Sequence, residues 1–299
     1  MREPDDVPFG DPVKAAPAPW SGKQLRAMDG QTLLRRMVDA CLAQIRPNAG
    51  ALAQGSDDPE HVHQLRVGLR RLRSAARAMR AFGAGLPPDW EAAVQPVFDA
   101  LGESRDRHVL STTLAPELAA AAAPLPDLRA PAAEVAKALA RLVRGERFQD
   151  ALLALRSFAE TPEVAAGLAP RAEGLGHLVA RLRRLSRRVA RGARHFDALP
   201  FESQHEVRKR LKRLRYLAEF AAPAFERADV KAWTKAVSSA QDALGTHVDR
   251  VLAARRFAAL AATDPRAWFA AGWLRAKSGR SARAARKALA RLRATGAFW

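Results

Sequence analysis

Residues 61–82 read HVHQLRVGLRRLRSAARAMRAF, with six arginines, two histidines and no acid. Wound as a helix at about 100° per residue, His63, Arg66, Arg70, Arg73 and Arg77 fall in one stripe roughly 80° wide. Leu65, Leu69, Leu72, Ala76 and Met79 fall on a separate arc. The spacing predicts a helix with one face to bury and one cationic face to present. Like charges at these spacings repel, so the stripe gains nothing from itself and is expected to meet an anionic, repetitive partner.

The stretch recurs 142 residues on. His205, Arg208, Lys212 and Arg215 repeat His63, Arg66, Arg70 and Arg73, with Lys209 beside them. Downstream, Trp90, Ala93, Val94, Asp99, Ala100, Leu101 and Gly102 return as Trp233, Ala236, Val237, Asp242, Ala243, Leu244 and Gly245, now shifted by 143. Two ordered blocks at matching spacing mark an internal duplication. One departure is Glu219, which stands where the first copy has Arg77. It is expected to shorten the second stripe or to pair with a neighbouring arginine.

The composition agrees. A net charge of +19 and a pI near 11.3 call for a polyanionic partner such as nucleic acid, anionic membrane or a phosphate polymer. Cys41 is the single cysteine, which excludes an internal disulfide framework. No apolar run approaches 18 residues and no signal-peptide pattern opens the chain, so a cytoplasmic protein without a membrane partner is expected.

In chain order, residues 1–22 are Pro-rich and read as a linker or tail. Helices are expected over 31–46, from Pro59 to near Gly83, then 89–101 and 104–122 with a break at Gly102. Pro47 to Pro59 and 124–131 read as loops, with Asp57 or Asp58 capping the main helix. Two shorter helices, about 131–144 and 147–160, precede a long basic helix at 177–195. Further helices are expected at 203–222, 229–244, 247–262, 266–277 and 280–294. No period-2 segment supports a strand. The chain reads as all-α, two helical bundles related by duplication: a first half at about 23–125, connecting helices at about 126–165, and a second half at about 166–299.

The 177–195 helix carries a further stripe, His177, Arg181, Arg184, Arg188, Arg191 and His195, and a weaker one closes the chain at Arg280, Arg283, Lys287 and Arg291.

The duplicated helix, VHQLRVGLRRLRSA and HEVRKRLKRLRY, together with the segments LGESRDRHVL and LGTHVDRVLA, resembles the CHAD family, the conserved-histidine α-helical domain. The resemblance covers about residues 23–299. It implies two four-helix bundles about a pseudo-twofold axis and a central basic channel that binds inorganic polyphosphate. It also implies association with polyphosphate granules and, in many members, a CYTH domain upstream. The barrel's ExExK strand motif is absent from this chain, so catalysis belonging to that domain is not carried here.

The residues expected to bind polymer are His63, Arg66, Arg70, Arg73, Arg77, His177, Arg181, Arg184, Arg188, Arg191, His205, Arg208, Lys209, Lys212, Arg215, Arg283 and Lys287. Arginine suits the task because its planar fork meets phosphate oxygens bidentately and keeps its charge. A histidine donates to phosphate in either state and gains charge below about pH 6.5. Arg71 and Arg213 lie off the stripes and are expected to be mere charge, or to hold Asp106 and Asp249. Trp90 and Trp233 read as packing residues, and His108 and His247 as structural or exposed. P-loop, HExxH, GxSxG and cysteine ligand sets are all missing, and the stripes lack the acids that hold Mg²⁺ in phosphoryl transfer. A binding module with no cofactor and no metal is therefore expected. The alternatives are a nucleic-acid-binding helical protein and an accessory subunit of a polyphosphate-processing enzyme. With aromatics at 6% and Tyr216 the sole tyrosine, stacking platforms for bases look sparse, so nucleic acid is expected to bind weakly or nonspecifically.

Overall fold

The computed structural model describes residues 10–124, 132–161 and 173–299. The first nine residues of the Pro-rich segment, residues 125–131 of the expected loop and residues 162–172 lie outside them. The described residues form eleven α-helices and no strand: α1 (Gly22–Ala27), α2 (Gly30–Ala53), α3 (Pro59–Ala78), α4 (Trp90–Val109), α5 (Ala115–Ala119), α6 (Ala132–Arg144), α7 (Glu146–Glu160), α8 (Gly174–Arg194), α9 (Phe201–Ala221), α10 (Arg227–Leu260) and α11 (Ala267–Thr295). A π-helical turn, Leu110–Leu114, joins α4 to α5.

The chain folds as two compact units. The first comprises Met1–Pro19, Leu34–Arg105 and Arg129–Gly167, and the second Trp20–Leu33, Asp106–Leu128 and Leu168–Trp299.

In the first unit, α3 begins as its sequence dictates. Asp58 is the N-cap, its carboxylate accepting from the Glu60 amide at 2.7 Å, with Pro59 as the first helical residue. Val62, Leu65, Leu69 and Leu72 are buried, each such leucine stabilising the fold by about 1.5–3 kcal/mol. Gly68 lets α2 approach closely, since a methyl there would lie 2.7 Å from the Ile45 side chain. Contrary to expectation, α2 does not end at Pro47 but continues to Ala53. Pro47 sits on the exposed face, while Ile45, Asn48, Ala49 and Leu52 carry on the buried stripe, and packing overrides the local breaker. The Asn48 amide also pairs with both backbone groups of Val13, at 3.2 and 2.9 Å. His61 is buried, with Nε2 donating to the Gly10 carbonyl at 3.0 Å and Nδ1 at 2.8 Å from the Ser56 hydroxyl. Residues 10–13, read as linker, are thus fastened to α2 and α3.

In the second unit, Leu110, Leu114 and Leu118 pack with Phe257, Ala267, Ala270 and Leu274 from the α10–α11 hairpin. Trp20 is buried, its ring against Phe220 and its indole N–H donating to the Phe220 carbonyl at 3.3 Å. Trp233 is a packing residue as expected, with Phe298 and Trp299 set edge-on at 5.4 and 5.1 Å. His247 is structural: buried, 2.8 Å from Gln204 Oε1 and 3.0 Å from the Ser281 hydroxyl. The breaks expected near Gly102, Gly245 and Gly279 are not there, because α4, α10 and α11 run straight through. A glycine weakens a helix by only about 1 kcal/mol, less than the buried faces on either side supply.

Gly192 of α8 is a point of close approach to α9, where an added methyl would overlap the Val207 side chain. Gly272 of α11 has open space around it. Gly192→Ala is expected to lower unfolding stability by about 1–3 kcal/mol through overpacking, and Gly272→Ala to raise it by up to about 1 kcal/mol. Urea denaturation monitored by circular dichroism measures both; equal stability of the two variants would contradict the tight α8–α9 seam.

Candidate functional site

The cationic stripe of α3 is held against α4. Arg66 donates through Nη1 to the Phe98 carbonyl at 2.8 Å. The guanidinium carbons of Arg66, Arg73 and Arg70 stand 4.5, 5.1 and 5.7 Å from the centre of the Phe98 ring. Three cations thus gather round one aromatic face, whose negative quadrupole offsets part of their repulsion. Glu91 offsets a further part, because its Oε1 takes Arg73 at 2.8 Å and also pairs with Arg77. Burial pushes the Glu91 carboxyl up, but the Arg73 hydrogen bond and the charges of Arg77 and Arg73 outweigh it and hold the group below its ordinary value. The stripe that α3 could not neutralise from its own sequence is therefore partly neutralised from α4. His63 lies on the same helix, half-buried.

Gly102 is part of this arrangement. A methyl at that position would lie 2.5 Å from Arg66 Nη1 and 3.1 Å from its guanidinium carbon, so the LG step of α4 is the seat of the arginine three residues after His63. The second copy has the same seat more loosely built, with Arg208 Nη2 standing 3.7 Å from a methyl built on Gly245.

In the second unit, α9 arranges its stripe with different partners. Arg208 pairs with Asp249 of α10 at 3.2 Å. Arg215 takes Glu219 at 2.9 Å and Gln241 Oε1 at 2.9 Å. Glu219, the departure noted in the sequence, therefore pairs with the last arginine of its own stripe. Glu206 holds Lys209, Arg210 and Arg213 at 2.9, 3.2 and 3.6 Å. Lys212 is half-buried on the same helix. His205 is held below the ordinary histidine value, first by burial and then by the charges of Lys209 and Arg208, with Lys212 adding to them and Glu206 opposing. It is neutral in the free protein near pH 7.

On α8 the picture differs. Arg181 Nε stands 3.3 Å from His177 Nε2, and Arg184, Arg188 and Arg191 are exposed on a helix with no acid. These three have no ion pair among the described residues. Arg283 and Lys287 are exposed on α11. The candidate residues of α3 thus lie in the first unit and those of α8, α9 and α11 in the second.

One expectation fails here. Arg71 is not an off-stripe surface charge. It is 2% exposed and donates to Gln44 Oε1 at 3.1 Å in the core of the first unit. Asp249 pairs with Arg208 of the stripe at 3.2 Å, and Arg213 stands 3.6 Å from Glu206. Phe98 and Glu91 were missed altogether. The signal was available in the two copies read against each other, where Arg77, Glu91 and Phe98 become Glu219, Thr234 and Gln241.

The model of the CHAD domain matches residues 36–258. The chain belongs to the CHAD family. Its fold is similar to the crystal structure of the CHAD domain from the plant Ricinus communis, with a TM-score of 0.74 and 25% sequence identity over 94% of this chain and 97% of that one. No curated protein matches it. The CHAD match covers both copies of the histidine–arginine helix and both LG segments, so the family assignment rests on the same residues that build the two arginine seats.

The two seats differ in a testable way. Gly102→Ala is expected to leave this CHAD protein folded, since only the flexible end of Arg66 must move, but to displace that guanidinium and weaken polyanion binding several-fold. Gly245→Ala meets only ordinary contact and is expected to leave binding unchanged while adding up to about 1 kcal/mol of helix stability. Titration of a phosphate polymer into both variants distinguishes them; identical affinities would mean that Arg66 has no part in binding.

Proposed function

We propose that this CHAD chain is an inorganic polyphosphate-binding module, built as two duplicated four-helix bundles, that captures the polymer on its arginine, lysine and histidine stripes. The observation that carries the reading is the state of α8, where Arg184, Arg188 and Arg191 are exposed on an acid-free helix with no ion pair among the described residues. Some exposed arginines elsewhere meet acids, as Arg156 meets Glu160 and Arg255 meets Glu202, but α8 carries no acid of its own. A polymer of phosphates supplies the missing anions at close spacing, each able to accept a guanidinium fork. The aromatic groups beside the stripes favour phosphate over bases. Phe98 is covered by three guanidiniums and Tyr216 is buried, so neither offers a face for stacking. The module's role is capture and not catalysis, for granule targeting in the cytoplasm or for delivery of polymer to a tethered domain of the CYTH kind.

The reading is tested by competition between long-chain polyphosphate and DNA at equal charge concentration and about 150 mM salt. Polyphosphate is expected to displace DNA, and its affinity to fall linearly as salt rises on logarithmic axes. At about 100 times Kd it should also stabilise the fold by about 2.7 kcal/mol, seen as a higher Tm. Equal affinity for the two polymers would remove the selectivity.

His205 gives a second check. Its pKa lies below the ordinary value in the free protein, and a phosphate beside it favours the charged ring and raises it. Binding should therefore take up a proton. Affinity should increase as pH falls through the window that opens at the raised, bound pKa and closes at the depressed, free one. The same depression means that the free protein loses stability as pH falls, since a neutral His205 contributes fully only above the unfolded pKa near 6.5. His205→Gln should flatten the affinity profile between pH 7.5 and 5.5. An unchanged profile would return His205 to a packing role.

A further inference from the structure

A groove of about 810 Å³ opens at the start of α10, between that helix, the head of α1 and the turn that follows α9. On the α10 side it is lined by Arg227, Lys231 and Lys235, all exposed and each about one helical turn from the next. Thr234 and Ser238 share their arc of the helix. The facing side is apolar, from Trp20, Pro223 and Phe225. Asp229, the acid of the first turn, lies about 160° round the axis from Lys231 and so points away from the row.

The apolar side is built and held. The Trp20 indole donates to the Phe220 carbonyl at 3.3 Å, and Arg26 donates to the Ala224 carbonyl. Gly22 seats α1 directly on the turn, since a methyl there would overlap the Pro223 carbonyl. The groove is therefore formed in advance of any ligand, which reduces the cost of binding.

The cations of the groove are not part of the duplicated stripe. At the offset that relates Trp233 to Trp90, Arg227, Lys231 and Lys235 correspond to Ala84, Pro88 and Ala92. Helix α4 begins at Trp90, whereas α10 already begins at Arg227. Arg227 and Lys231 thus stand on turns of helix that only the second copy has. Nor does the row continue the stripe of α9. Arg215 and Arg208 meet α10 at Gln241 and Asp249, roughly 9 and 21 Å beyond Lys235 along the axis. No stripe residue lines the groove.

A matching ligand brings anions to one side and apolar surface to the other. A phosphate chain has nothing apolar to place on Pro223 and Phe225. An extended peptide has both, because alternate side chains point to opposite faces and those on one face stand about 6.5 Å apart. The cations stand about 6 Å apart along α10. Acids at alternate positions therefore meet Arg227, Lys231 and Lys235 in turn, while the apolar side chains between them face Pro223 and Phe225. About five residues of peptide span the row.

We propose that this groove is a docking site for an acidic linear segment of a partner protein, in which apolar residues alternate with aspartate or glutamate. Docking there uses no residue of the stripes, so the module can hold polymer and partner at once. The inference does not depend on the polyphosphate reading.

Fluorescence anisotropy at about 150 mM salt tests it. The probes are a labelled peptide of alternating glutamate and leucine and an isomer with the same residues in two blocks. Wild type is expected to prefer the alternating peptide by about fivefold or more. Lys231→Glu/Lys235→Glu should weaken that peptide about tenfold or more, leave long polyphosphate within about threefold, and bind an alternating lysine–leucine peptide better than wild type does. Both positions are exposed on a helix that glutamate suits. The milder Lys231→Gln/Lys235→Gln pair, shown folded by circular dichroism, should lose affinity in the same direction. Arg256→Gln/Arg275→Gln, an equal charge change at exposed positions outside the groove, should stay within about twofold of wild type. Equal losses in the two glutamine pairs would overturn the site, as would equal affinity for the two isomers or no gain for the lysine–leucine peptide. If the glutamate pair loses polyphosphate as severely as peptide, the groove belongs to the polymer path and the partner site is overturned. Groove-dependent peptide binding by a protein that binds no polyphosphate would uphold the site while removing the polyphosphate reading.

Discussion

Rows of arginines must be held in place against their own repulsion, and this constraint shapes the side-chain contacts around α3 and α9. On α3 the row is stabilised by one carboxylate and one ring. Glu91 takes Arg73 and Arg77, and Phe98 lies under Arg66, Arg70 and Arg73. Neither contact neutralises the row. One acid shared between two guanidiniums leaves net positive charge, and cation–π attraction removes none. The arrangement fixes where the cations stand while leaving them attractive to an anion, which is the preorganisation that reduces the cost of binding. Gly102 belongs to the same device, because without a side chain there α4 can accept the Arg66 head against its backbone.

The two copies meet the constraint with different residues. In the first copy the end of the stripe is Arg77 and the acid is Glu91 on the next helix. In the second, the position of Arg77 is Glu219, the position of Glu91 is Thr234, and Arg215 turns to Glu219 and Gln241. An acid has in effect moved from the second helix of the pair to the first, with the last arginine of the row removed. Each copy keeps one carboxylate at the end of its row, Glu91 for Arg73 and Arg77 and Glu219 for Arg215, and both rows stay net positive. What differs is the platform, since an aromatic ring in one copy is an amide in the other. The second row is consequently held by hydrogen bonds with directional demands, and the first by a ring that tolerates movement of its three guanidiniums.

Much of this could be read from residues alone, and the failures have physical causes. The α3 helix, its Asp58 cap, its buried leucines and the duplicated stripes follow from periodicity and from spacing, which are local. The helix ends did not follow, because Pro47, Gly102 and Gly245 are breakers only until tertiary contacts are counted. Pro47 is carried through by the buried residues around it, and the two glycines are used for the room they leave. Arg71 was misread for a related reason. On a helical wheel it sits beside the cationic stripe, but the wheel does not show that α2 brings Gln44 to meet it, and a guanidinium with a partner can be buried where a bare one could not. Glu91 was invisible to a search along α3, because it comes from α4, whereas Asp249 of α10 was expected to hold an off-stripe arginine and pairs with Arg208 of the stripe.

The histidines show how the same side chain is sorted by its surroundings. His61 and His247 are buried and meet hydroxyl, amide or carbonyl groups at both ring nitrogens. Such a ring has no nitrogen left for a ligand. His205 is only partly buried, on a helix whose nearest charges are Lys209 and Arg208. It is neutral at rest first because it is partly buried and then because its neighbours are cations, and those neighbours are the groups an anion would screen. A ligand there removes the electrostatic reason for the low pKa in the act of binding, while the burial that also lowers it remains. The histidine is thereby coupled to the charges of Arg208 and Lys209, three and four residues along the same helix.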